Sequence, residues 1–153
     1  MKYPAAPFNS WLTTLQDSGY RLTGPRRVIV EILAASQRAL TPLDIYDLGR
    51  VEYPRLGLVT VYRTLEKLED LGLVQRVHQA DGCHMILPAA QGHEHVLICH
   101  NCGHAEFFSG DDLGGLIESV ASRSGFRIQE HWLQLSGLCE ECQKNEPSGE
   151  HAG

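Results

Sequence analysis

Four of the five cysteines in this 153-residue chain form two Cys-x-x-Cys pairs, Cys99/Cys102 and Cys139/Cys142. That spacing lets two sulfurs of one turn reach a single metal ion. Four thiolates around one Zn2+ give a tetrahedral site with no open position, which holds a fold without doing chemistry. The alternative for such pairs is a set of redox dithiols. Because 36 residues separate Cys102 from Cys139, well beyond the roughly 15–20 of a zinc ribbon, one ion here would clip together the two ends of a whole subdomain.

The histidines and the remaining cysteine pose a separate question, since a closed sulfur site has no use for them. All eight histidines lie at or beyond His78. His93-Glu94-His95 places alternate residues on one face of an extended strand, so both imidazoles can meet one ion. Upstream stand His78, Cys83 and His84; downstream, Glu106 follows the first cysteine pair, and His131 alternates with Leu133 and Leu135, which points it inward. A lone inward histidine is often a satisfied core residue, so each of these also carries a purely structural reading. His100, His104 and His151 read as solvent-facing and are given no role.

Charge divides where the ligands begin. Met1–His78 holds 10 Lys/Arg against 8 Asp/Glu, a balance of +2, and the remainder holds 3 against 11, a balance of −8, which together make the net −6. An acidic chain is not a general polyanion binder, so any nucleic-acid contact must come from a local basic surface in the first half. This length fits one ordinary domain or two small ones, and a domain of roughly 60 residues often needs a metal or a partner subunit. No apolar run approaches the ~20 residues of a membrane span, and the first ten residues lack a signal-peptide pattern. The expected compartment is a reducing cytoplasm, where Cys-x-x-Cys more often binds metal than forms a disulfide.

The elements that must position these groups follow from start and stop signals. Ser10 caps a first helix through Asp17 that Gly19 ends; Thr23, followed by Pro25, starts a second with Val28, Ile29, Ile32 and Leu33 as its apolar stripe. Thr41-Pro42-Leu43-Asp44 starts a third, whose buried side is Ile45, Tyr46 and Leu48. A fourth is capped by Thr60 and stopped by Gly72, with Val61, Leu65 and Leu68 inward and Tyr62, Arg63 and Lys67 available to a groove. Strands at Leu73–His78 and Cys83–Leu87 join through Asp81-Gly82 as a hairpin. Helices followed by a two-stranded wing make a winged helix-turn-helix, with Arg21, Arg26, Arg27, Arg63 and Lys67 near two helix starts.

In the second half, strands at Val96–Cys99 and His104–Phe108 flank the first cysteine turn. A helix over Asp111–Ser124 turns Leu113, Leu116, Ile117 and Val120 inward, Gly125 ends it, and a strand over Phe126–Leu138 leads to the second cysteine pair. The expected division is therefore a DNA-binding domain over 1–88, a hinge at 89–92, a metal-binding dimerisation domain over 93–143 and a disordered tail over 144–153. The fold class is α+β: a winged helix, then a small α/β domain with a four-cysteine structural zinc site.

Arg21-Leu-Thr-Gly-Pro-Arg26, the Thr60-Val-Tyr-Arg-Thr-Leu65 helix start, the Gly72-Leu-Val74 strand entry, His93-Glu-His95 and the two Cys-x-x-Cys pairs together resemble the ferric uptake regulator superfamily, from about Leu12 to Cys142. The resemblance implies a homodimeric metal-dependent repressor of palindromic double-stranded DNA operators. It implies DNA contacts through Tyr62 and Arg63, helped by Arg21 and Arg26, and structural Zn2+ on Cys99, Cys102, Cys139 and Cys142. Cys83 stands where zinc uptake regulators use a cysteine, and a soft thiolate favours Zn2+ over Fe2+ or Mn2+. The implied regulatory ligands are Cys83, His93, Glu106 and His78. His95 and His131 match a second site whose acidic ligand falls near Gly114, leaving Asp111, Asp112 or Glu106 to substitute. Iron-, manganese-, nickel- and peroxide-sensing members are the alternatives within the family.

Two readings from other classes remain. A zinc hydrolase could use His93, His95, Glu106 and His131 around an ion with a bound water, but the chain has no His-Glu-x-x-His and no apparent substrate-binding domain, so no enzyme activity and no small-molecule substrate are expected. A zinc-stabilised protein-interaction module is opposed by the basic first half and the Tyr62-Arg63 helix start.

Overall fold

The computed structural model describes residues 8–90, 94–109 and 113–146. Four helices come first: α1 (Phe8–Asp17), α2 (Gly24–Ala35), α3 (Pro42–Glu52) and α4 (Leu58–Asp70). They close on one apolar cluster built from Trp11, Leu15, Ile29, Leu33, Ile45, Val61, Leu65 and Leu68. At α3, Thr41 accepts from the Asp44 backbone N–H while the Asp44 carboxylate accepts from the Thr41 backbone N–H. This reciprocal cap satisfies two orphan donors and contributes about 1 kcal/mol. Gly72, at φ 68, turns the chain out of α4 in a conformation that side chains disfavour.

The wing follows as β1 (Val74–His78) and β2 (His84–Pro88), antiparallel, with Val74 opposite Pro88 and His78 opposite His84. Gly82, at φ 82, makes the turn between them, and Asp81 accepts from the Cys83 backbone N–H. The second half is a three-stranded sheet of β3 (Glu94–Cys99), β4 (Ala105–Ser109) and β5 (Gln134–Gly137), in the order β4-β3-β5. β4 is antiparallel to β3 and β5 parallel to it. Helix α5 (Gly114–Ser124) supplies the crossover, and α6 (Glu140–Asn145) carries the last cysteine.

The wing does not hang free from this sheet. Val77, Met85 and Leu87 pack in one buried cluster with Val96, Ile98, Ala105 and Phe107. Ala39 completes it. The segment between α2 and α3 is held from both sides: Leu40 exchanges backbone hydrogen bonds with Ile86 at 2.9 and 2.7 Å, and the Ala39 N–H donates to the Gly103 carbonyl at 2.9 Å. The two halves that composition separates therefore share a core.

Several sequence expectations are corrected. Helix α1 starts at Phe8, so Ser10 lies inside it, its carbonyl accepting from the Thr14 hydroxyl; Phe8 packs on the helical core and extends the helix. Gly57, not Thr60, is the N-cap residue of α4, and Thr60 sits in the first turn. Leu48 is exposed, because the buried stripe of α3 runs through Ile45 and Gly49, about 100° round the helix from it. Helix α5 buries none of its residues, with Leu116 and Val120 exposed. The long strand shrinks to Gln134–Gly137: the parallel register starts with Val96 opposite Gln134, so residues before Leu133 have no ladder partner on β3. Finally, α6 runs through Lys144 and Asn145, where a disordered tail was expected to have begun. His93, the candidate substitutes Asp111 and Asp112, hinge positions 91–92 and the tail from 147 lie outside the described residues.

Candidate metal centre and nucleic-acid interface

The two cysteine turns meet at the end of the sheet. β3 ends on Cys99, the turn closed by Gly103 carries Cys102, and Cys139 is the N-cap residue of α6, which buries Cys142. All four ligand atoms lie within 4.8 Å of one another, a group that could hold one metal ion. Cys102 and Cys139 Sγ are 3.7 Å apart. The Asn101 side-chain amide donates to Cys142 Sγ at 3.2 Å, and the His104 backbone N–H donates to Cys102 Sγ at 3.4 Å. Such donors hold thiolate charge, as partners beyond the ligands do in metal sites.

The protons of this group are unevenly shared. Burial opposes ionisation of Cys99, but N–H groups of Cys139, Cys102 and Asn101 outweigh it and draw the thiol down to about 6. At Cys142 the Asn101 amide favours the thiolate, yet Cys139, burial and the other two sulfurs push the group up to about 12. Four sulfurs this close cannot all ionise without a cation. A tetrahedral Zn2+ fits the donor set, and the 4.8 Å limit on sulfur separations is compatible with four Zn–S bonds of about 2.3 Å.

Among the described residues this is the one group of three or more His, Cys, Asp or Glu ligand atoms within that mutual reach. The other nominated ligands fall in two places. Glu106 projects from β4 on the face opposite Phe107 and pairs with His104 Nε2 at 2.9 Å. Both line a cleft that also holds Arg38 and Leu48, so Glu106 belongs to the surroundings of α2 and α3, and His104, read from sequence as idle, is its partner. Farther along the same face of the sheet, His95, opposite Phe108, is buried at 1% exposure, its ring 5.1 Å from that of His131, and its Nδ1 accepts from the Leu133 backbone N–H at 3.2 Å. His78 and His84 face each other across the wing with ring centroids 4.7 Å apart, and Cys83 is exposed beside them at the turn. His78, Glu130 and His131 line one cavity of about 660 Å3 between β1 and the segment entering β5. Glu130 is a residue that sequence reasoning missed; only its position beside His131 could have drawn attention to it.

The prospective nucleic-acid face is the exposed side of α4. Val61, Thr64, Leu65 and Leu68 are buried, which leaves Val59, Tyr62 (43% exposed), Arg63 and Glu66 outward. The Lys67 ammonium lies 5.4 Å above the Tyr20 ring, a cation–π contact that ties α4 to the segment before α2. Arg26 donates to the Arg21 carbonyl at 2.6 Å, which orders the basic residues at the start of α2. Arg76 is engaged with Glu69 at 2.8 Å.

A helical reader whose wing is built into a sheet capped by four cysteines defines a winged-helix protein with a metal-capable second domain. The chain belongs to the ferric uptake regulator family, whose profile matches residues 17–136. It is 32% identical over 138 residues to a ferric uptake regulation protein of Neisseria meningitidis, covering 89% of this chain and 94% of that one. It is 33% identical over 135 residues to the peroxide operon regulator of Bacillus subtilis, covering 88% and 92%. Its fold is similar to that of the Helicobacter pylori ferric uptake regulator, with TM-score 0.72, 22% identity and coverage of 96% and 100%. It is also similar in fold to a zinc uptake regulator complexed with zinc and DNA, with TM-score 0.67, 21% identity and coverage of 90% and 93%. Members with these names are regulators and not enzymes. No helix among the described residues is long and apolar enough to cross a membrane.

Proposed function

We infer that this protein is a zinc-sensing repressor that binds palindromic operators as a homodimer when metal-loaded. The observation that carries the reading is the shared core of wing and sheet, because it makes the attitude of α4 depend on the groups that line the junction. Zn2+ on Cys99, Cys102, Cys139 and Cys142 holds the end of the sheet, and Gly103 passes that order to Ala39 between α2 and α3. An exchangeable ion, with Cys83, His78, His93, Glu106, His95 and His131 as the ligand pool, would supply a cross-link between reader and sheet. Glu106 serves that pool only by leaving His104.

On DNA, Tyr62 would pack against a thymine methyl and Arg63 would reach a purine edge or a phosphate, with Arg21, Arg26, Thr60 and Lys67 fixing the approach. Leu116, Val120, Phe126, Trp132 and Leu135, exposed on α5 and on the chain that follows it into β5, are the apolar side chains that a second copy of the chain would cover. Cys83 favours zinc, whereas the names of the relatives at 32–33% identity favour an iron- or peroxide-responsive member. A competition series settles the choice: affinities for Zn2+, Fe2+ and Mn2+ are measured on protein already holding its sulfur-bound ion. Zinc must be favoured beyond its ordinary advantage over these ions at nitrogen and oxygen sites. Cys83→Ser must remove that excess.

A further inference from the structure

We propose that Tyr20 is a positioning residue for DNA: its ring holds the Lys67 ammonium so that Lys67, Arg21 and Arg26 meet one stretch of phosphate backbone together. This rests on the DNA-binding reading above and adds a residue which that reading does not use. Gly19, at φ 85, turns the chain out of α1, and the Tyr20 backbone N–H then donates to the Leu15 carbonyl at 3.0 Å. The ring packs half-buried against the helical core. Its place is therefore set by the fold, and Lys67, 5.4 Å from the ring centroid, takes its own place from the ring.

On α4, Lys67 stands one turn beyond Arg63 and about 40° round the axis toward the buried stripe of Thr64 and Leu68, so it flanks the outward face. A loose lysine loses much rotamer freedom when it settles on a phosphate, whereas one already held on a ring loses less. The ring occupies one side of the ammonium and leaves N–H donors for an anion. Among the described residues neither Lys67 nor Arg21 forms an ion pair, and the Arg26 guanidinium donates to an uncharged acceptor, the Arg21 carbonyl oxygen, at 2.6 Å. Two contacts thus bring cations from α4, the connecting segment and α2 to one corner without a paired carboxylate. Arg76 on the wing differs, being taken up by Glu69 at 2.8 Å. Like charges gathered in this way disfavour the free protein and favour a polyanion.

The test measures binding of the zinc-loaded full chain to a labelled random-sequence DNA duplex by fluorescence anisotropy across a range of salt, since phosphate contacts need no particular sequence. Lys67→Ala should weaken binding and lower the salt slope by about one. Tyr20→Leu should weaken it about two- to fivefold, the scale of an exposed cation–π contact, at an unchanged melting midpoint. Tyr20→Phe, which keeps the ring face, should bind as the parent does. In the Tyr20→Leu background the factor lost on Lys67→Ala should shrink accordingly, and Tyr20→Met takes the place of Tyr20→Leu if that variant unfolds. An equal Lys67→Ala factor in both backgrounds, or Tyr20→Leu binding indistinguishable from the parent, overturns the role. A parent that fails to bind the duplex overturns the DNA-binding reading and this role with it, a result distinct from binding that the variants leave unchanged.

Discussion

Gln134 on β5 donates its side-chain amide to the carbonyl oxygen of His78 on β1 at 2.7 Å. One bond thus ties the last strand of the sheet to the wing that follows α4. Alongside it the apolar cluster of Val77, Met85, Val96 and Phe107 makes the junction a packed interface. A packed junction has discrete arrangements, which is what a ligand-biased switch requires.

Cys142→Ser should lose the sulfur-bound ion and loosen α6. Structural zinc contributes on the order of 10 kcal/mol in small zinc domains, so even partial loss should lower the thermal midpoint by more than about 10 °C. Metal analysis of the purified variant, paired with a melting curve, checks both. Retention of one tightly held zinc at an unchanged midpoint would remove the structural role.

Loading the cage should release protons. Near pH 7.5 Cys99, drawn down to about 6, is already a thiolate, whereas Cys142, pushed up to about 12, and Cys102, also raised, still carry theirs. Zinc must displace roughly two or more protons per ion. Affinity therefore falls as pH drops, and steepens its fall once Cys99 protonates below about 6. A pH indicator in weakly buffered protein measures the release, and none at all would contradict the assignment.

Gly103→Ala should be costly. The residue sits at φ +76, and an added Cβ would lie 2.8 Å from the Ala39 carbonyl oxygen, a backbone atom, and 2.9 Å from the Met85 methyl. Strain and clash together should destabilise the protein by about 2 kcal/mol. Denaturant unfolding gives the number; Gly115→Ala, in helix α5 with nothing within 4 Å, is the control and should not destabilise.

Arg63→Ala should weaken operator binding by about 1–3 kcal/mol, roughly 5–150-fold. It should leave the fold unchanged, since the side chain is exposed on α4. Fluorescence anisotropy at several salt concentrations separates the two possible contacts. A lost phosphate contact lowers the salt slope by about one, while a lost base contact relaxes sequence preference.

Leu116→Glu combined with Val120→Glu should break the proposed homodimer. Both side chains are exposed on a helix that buries none of its residues within the chain. Light scattering after size exclusion should read a monomer, and an unchanged dimer would place the interface elsewhere.

Local chemistry was legible from sequence wherever a few neighbouring residues decide the outcome. The Thr41/Asp44 cap, the stop at Gly72 and the hairpin turn at Gly82 need only adjacent atoms, and the two Cys-x-x-Cys turns need one ion. What failed depended on distant partners. The periodicity of α5 gave an apolar stripe without saying that none of the described residues buries it. Alternation over residues 126–133 looked like strand, but a ladder needs a neighbour, and the β3 register begins one residue later, at Gln134. Glu106 reads as a ligand by its place after Cys102; that it faces His104 instead depends on strand register, which a shift of one residue reverses.

The central claim is that an exchangeable ion, separate from the one caged by sulfur, sets operator affinity through the junction. The direct measurement is operator affinity at graded free zinc, on protein whose four-cysteine site stays filled throughout. The account predicts affinity rising about 5–150-fold as a second equivalent binds, with the rise abolished in a His78→Ala/His131→Ala double variant that keeps its fold. Affinity that stays flat across the zinc range, with the first ion in place, would contradict it.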